Sequence, residues 1–123
     1  MAKKTIIRWL TKPQKHDYAA AETYLSLLME REAARIVADQ LQHAAMSAYA
    51  AKDIFRASAL PLLSSDNSHV DKDRTNIIRN EKLSPILLFR DERAGKLVIA
   101  DGYHRLCAVY TFDEDALIPC KIV

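Results

Sequence analysis

Leu97-Val98-Ile99-Ala100-Asp101-Gly102-Tyr103-His104-Arg105-Leu106-Cys107-Ala108 sets an apolar run, a tight turn and a helical run in immediate succession, and it decides the fold. Lys96 to Ala100 reads as a strand. Asp101-Gly102 closes it. A helix follows over His104 to Phe112, with Leu106, Val109 and Tyr110 as its packing face. The first-turn N–H groups of a helix lack intrahelical acceptors and carry the positive end of its dipole. A strand–turn–helix of this kind therefore suits an anion. Gly102 is one of only two glycines in the chain. It is expected to let the backbone approach a phosphate closely. His104 and Arg105 add side-chain donors, the guanidinium fork matching two phosphate oxygens. Asp101 is open to three roles: helix cap, partner of a ribose hydroxyl, or metal ligand. The competing account of the same string is an ordinary helix cap.

Upstream, Pro85-Ile86-Leu87-Leu88-Phe89-Arg90 reads as a second buried strand, and Asp91 to Gly95 as the turn joining it to Lys96 in a β-hairpin. Downstream, Leu117 to Val123 reads as a last strand, with Pro119 placing its N-terminal part at an edge. The first half is helical in pattern. Asp17 is expected to cap a helix starting at Tyr18. Apolar residues recur at Tyr18, Ala21, Leu25 and Leu28, then at Ile36, Val37, Leu41, Ala44 and Ala45. The polar Met29-Glu30-Arg31-Glu32 shifts the phase, which predicts one bent helix or two short ones; the absence of glycine and proline from Asp17 to Ala51 favours continuity. Ala48 to Ala51 fits either a helix end or a short strand. A short helix is expected over Asp71 to Asn80, with Val70, Ile77 and Ile78 inward. The whole is α+β: an N-terminal helical segment over 1–46, then a small mixed sheet over 47–123, expected to form one compact unit.

Three stretches together carry a family resemblance: Ser84 to Phe89, Leu97 to Ala108, and Ile118 to Val123. They resemble the ParB N-terminal/sulfiredoxin-like superfamily, whose members show a strand opening on proline, a strand ending in D/G-G-x-x-R with a helix after it, and a closing strand. The likeness spans about 47–123 and is best over 82–123; residues 1–46 match no family. It implies a nucleotide with its phosphates over Gly102 to Arg105, with phosphoryl transfer or nucleotidase activity left open. The turn also departs from the family. ParB proteins that hydrolyse CTP have Gly-Glu-Arg-Arg where this chain has Gly102-Tyr103-His104-Arg105, which argues against CTP turnover. Sulfiredoxins have Gly-Cys-His-Arg, so Tyr103 occupies the place of their catalytic cysteine, which argues against sulfinic acid reduction.

Asp66, His69 and Asp71, with Asp73, form the one local acid and histidine cluster. It is expected to be either an accessory site holding Mg²⁺ beside a nucleotide or a loop with helix-capping aspartates. Cys107 and Cys120 have no metal-ligand spacing and read as reduced packing residues. His16 and His43 are expected at the surface, and Tyr18 and Tyr24 in helix packing.

The charge balance, 18 basic against 16 acidic residues, is too even to announce nucleic acid. Lys3, Lys4, Arg8, Lys12 and Lys15 around Trp9 give DNA contact a weak basis and otherwise make a solvated terminus. No run approaches the about 18 apolar residues of a membrane span. A cytoplasmic protein of bacterial style is expected. Two functions stand open: binding of a nucleotide or phosphorylated small molecule at Asp101 to Arg105, or a non-enzymatic module for a protein partner, DNA or a second copy, in which the turn is only a cap. The alanine-rich 33–51 stretch permits the homodimer.

Overall fold

The computed structural model describes residues 5–123. Lys3 and Lys4 lie outside them. The order is β1 (Arg8–Trp9), α1 (Lys15–Leu25), α2 (Arg31–His43), β2 (Ser47–Ala50), α3 (Ala51–Ser58), α4 (Ser68–Ile78), β3 (Lys82–Leu83), β4 (Ile86–Asp91), β5 (Lys96–Asp101), α5 (Tyr103–Phe112) and β6 (Leu117–Ile122). The architecture is α+β. A four-stranded sheet runs β2-β6-β4-β5, and a two-stranded parallel ribbon joins β1 to β3. Arg8 and Trp9 thus belong to a strand, with Trp9 packed against the core, rather than to a solvated tail.

Alternation along the central strands feeds two apolar layers. Leu87, Val98 and Ala100 meet Ala21 and Leu25 of α1 and Ala34, Val37 and Leu41 of α2. Ile86, Leu88, Ile99, Ile118 and Cys120 meet α3, α4 and α5 through Ile54, Val70, Ile77, Leu106 and Val109. The sheet is covered on both sides, which is why β4 and β5 read as unbroken apolar runs.

The helical half divides despite its lack of glycine or proline. One helix over 15–43 would be about 43 Å long, against about 20 Å for a six-residue strand. Only a hairpin returns both apolar stripes to the same face. Leu28 falls in the connection and Ile36 on the outer side of α2, 55% and 45% exposed, so neither joins the core as the spacing suggested. Ala44 and Ala45 lie beyond the end of α2.

Other boundaries shift for local reasons. Gln14, not Asp17, is the N-cap of α1. Asp17 lies inside the first turn, where its Oδ2 accepts the Gln14 N–H at 2.8 Å. α4 begins at Ser68 because Asn67 Oδ1 accepts the N–H groups of His69 and Val70, at 2.9 and 3.2 Å. Val70 and Ile77 are buried, whereas Ile78 at the helix end faces solvent. Ser47 to Ala50 is a strand, antiparallel to Leu117–Cys120. β6 is an inner strand, yet its ladder with β4 begins only at Cys120. Pro119 therefore sits in a stretch paired on one side, where a missing N–H is tolerated. No helix among the described residues is long and apolar enough to cross a membrane.

Candidate functional site

The register between β4 and β5 carries an irregularity at the end that leads into the turn. Leu87 pairs with Asp101 and Leu88 with Ile99, leaving Ala100 as an extra residue. A bulge sets two successive residues against one partner and re-aims the side chain that follows. Asp101 consequently turns toward the α1 layer, where its carboxyl lies close enough to that of Asp17 for the two to interact electrostatically. Asp17 is only 2% exposed. It also takes the Ser84 hydroxyl hydrogen bond. Arg105, one turn into α5, closes the cluster with an ion pair to Asp101 at 2.8 Å. Burial holds the Asp101 carboxyl above its ordinary range; the Arg105 charge opposes this and the neighbouring Asp17 adds to it.

Gly102 is the N-cap of α5 at φ +109°. A Cβ there would lie 2.3 Å from Ile86 Cγ2 and 2.8 Å from Ile86 Cβ. The glycine is thus required by its backbone angle and by the core strand beneath it. Its missing side chain faces Ile86 rather than opening a path to a ligand. No side chain caps α5, so its first N–H groups stay available.

α4 brings a second helix start to the same place. The His69 and His104 rings lie 4.8 Å apart, while Arg74, further along α4, reaches Thr111 and stacks over Phe112 at 4.4 Å. The two helices therefore run side by side in the same sense, with both N-termini at one mouth. That of α4 is capped by Asn67 and that of α5 is not. Between them lies a cleft of about 210 Å³ lined by His69, Lys72, Asp73 and the Asp101–Arg105 turn.

The residues of the cleft are disposed as follows. All five residues from Asp101 to Arg105 line it. The Arg105 guanidinium spends one nitrogen, Nη2, on Asp101 and the Pro85 carbonyl, and the side chain is only 18% exposed, so its charge is already shared with Asp101. The Tyr103 hydroxyl donates to the Pro61 carbonyl, anchoring the α3–α4 loop. Of the proposed accessory residues only His69 reaches the cleft. Asp66 lies in the preceding loop and the first-turn Asp71 points elsewhere, while Lys72 and Asp73 take their place. Residue spacing showed the cluster but not which side of α4 would face α5. Among the described residues no group of three or more His, Cys, Asp or Glu converges as a metal site.

The electrostatics favour an anion that arrives with its charge. His104 is held below its ordinary value by burial and then by His69, with Asp73 opposing. Asp73 is raised by burial, against the pull of Arg105 and His104. A bound anion would reverse the balance at His104 by stabilising the imidazolium. Cys107, one turn deeper in α5, is fully buried with its thiol pushed up by that burial, and Cys120 is pushed up to about 11. Neither is a nucleophile in the folded chain.

No family model, curated protein or solved structure matches this chain.

Proposed function

We propose that the chain binds a small molecule bearing a phosphate group, a nucleotide or a phosphorylated metabolite, at the mouth of α5. The observation that carries this is the uncapped N-terminus of α5 opening beside a second helix start, with His69, Lys72 and His104 around it. Unclaimed N–H donors, two dipoles and three cationic or cationisable side chains suit a phosphate dianion. The ParB/sulfiredoxin-like resemblance supports the same turn. In this assignment the amides of Tyr103 and His104 hold the phosphate, and Lys72 supplies the free charge. Arg105 acts from behind by fixing Asp101 and the turn. Asp101 is committed to Arg105 and Asp17, so a Mg²⁺ ion would come with the nucleotide rather than reside on this chain. Phosphoryl transfer needs a base beside the phosphate; Asp73, partly buried and in no ion pair among the described residues, is the candidate.

The test is thermal stability with ATP, CTP, GTP and inorganic phosphate, each with and without Mg²⁺, on wild type, Lys72→Ala and His104→Gln. A ligand at about 100 times its dissociation constant adds roughly 2.7 kcal/mol. A shift in wild type that shrinks in both variants supports the site. No shift with any of the four demotes the turn to a structural cap.

A second reading rests on a different surface. Leu27, Leu28 and Tyr24, at the α1–α2 end, are 79%, 55% and 42% exposed. Such a patch suits an interaction module whose partner is a protein or a second copy. Sedimentation of wild type against Leu27→Lys tests self-association, and that reading predicts no effect of Lys72→Ala.

A further inference from the structure

A larger cleft, about 470 Å³, lies at the opposite end of the sheet from the α5 turn. Its floor is built from all four strands of the main sheet and one helix: Tyr49 on β2, Ile122 on β6, Leu88 on β4, Leu97 on β5, and Ile54 with Ala57 on α3. Leu88 and Ile54 are fully covered from below, whereas Leu97 and Ile122 are half-buried and Tyr49 is 43% exposed. The short α3 stops before covering this end of its layer. What remains is a concave apolar surface of the volume and lining typical of small-molecule sites.

The rim assigns the charge of the occupant. Asp53 pairs with Arg56 at 3.6 Å. Asp91 accepts the Ala94 N–H at 3.1 Å and stands opposite Lys96 in the hairpin register. Glu92 sits exposed in the hairpin turn. Arg90, exposed like Glu92 and like it in no ion pair among the described residues, differs in its position on the strand beside the apolar floor. Its cross-strand neighbour is Leu97, and its neighbour two residues back on the same face is the buried Leu88. An unmatched guanidinium beside an apolar floor recognises a carboxylate whose body is apolar.

We propose that this cleft binds a small organic acid with an aliphatic or aromatic body, its carboxylate on Arg90 and its body on Tyr49, Leu97 and Ile122. The site is separate from the phosphate cleft and does not depend on it. The test is an amide-resolved NMR titration of the full chain with decanoate and 2-naphthoate, alongside 2-naphthalenemethanol and 2-naphthylmethylamine as neutral and cationic matches. Shifts are expected at Ile54, Gly95 and Leu97, with the better acid binding at least about tenfold tighter than the alcohol or the amine. Arg90→Gln should remove that preference. Ala57→Phe, at an exposed helix position, should fill the cleft and abolish binding while circular dichroism stays unchanged. The proposal is overturned if neither acid shifts these amides at about 5 mM, if alcohol or amine binds as well as acid, if Arg90→Gln changes nothing, or if the shifts fall on Gly102 and His104 instead.

Discussion

Replacing Gly102 by alanine sets two costs against the fold at once. The backbone there has φ +109°, where an L side chain is strained by about 1–3 kcal/mol. The new methyl would also meet Ile86 Cγ2 at 2.3 Å and Cβ at 2.8 Å, and forcing a methyl into a packed core costs about 1–3 kcal/mol. Together the loss is about 2–6 kcal/mol, from a domain whose total stability is about 5–15 kcal/mol. For a chain of this length each kcal/mol moves Tm by about 3–5 °C, so a fall of about 6–30 °C is expected. Urea unfolding followed by circular dichroism gives the free energy directly. A double-mutant cycle with Ile86→Ala separates the two costs. Alanine at 86 removes Cγ2 but keeps Cβ, so the glycine substitution should cost about 1–2 kcal/mol less in that background. Wild-type stability within about 0.5 kcal/mol for Gly102→Ala, or strict additivity in the cycle, would refute the argument that the glycine serves the packing of the turn on β4.

Further outcomes follow from the same geometry. Arg105→Ala leaves Asp101 beside Asp17 with no cation, and should cost about 2–4 kcal/mol by urea unfolding near neutral pH. That loss should shrink near pH 4, because the folded-state Asp101 carboxyl, already raised, then protonates before its unfolded counterpart, and a raised carboxyl contributes stability that fades as pH rises. His104 has the opposite sign. Its folded value lies below 6.5, so stability is retained above that pH and declines as pH falls through it. His104→Gln should flatten this part of the stability–pH curve, and inorganic phosphate should bind wild type more tightly on the acid side. Cys107 and Cys120 are buried with raised thiols, so a disulfide reagent at about pH 8 should label neither in the folded chain and both in urea.

The β-hairpin, the strand–turn–helix and the last strand were legible in the sequence because their signals are local: apolar runs bounded by Pro85, Gly95 and Gly102, with turn chemistry between them. The same holds only in part for the two burial stripes of the N-terminal segment: helical period picks out Ala21, Leu25, Val37 and Leu41, which are buried, but also Leu28 and Ile36, which are not. What the period could not say was whether that segment is one helix or two. That depended on the span of the sheet it covers. Asp17 shows the same limit at the site. From the sequence it is a cap, and only the packing of α1 against β5 makes it the buried partner of Ser84 and Asp101. Arg105 reads as a phosphate fork until the bulge at Ala100 swings Asp101 into its reach. His69, Lys72 and Asp73 lie about thirty residues before the turn they face, and no local pattern says which side of α4 meets α5. The sequence by itself determined where the chain extends, turns and coils, because backbone preference and period act over a few residues. Tertiary structure alone decided which charges meet, because burial and ion pairing depend on distances that local preference does not set.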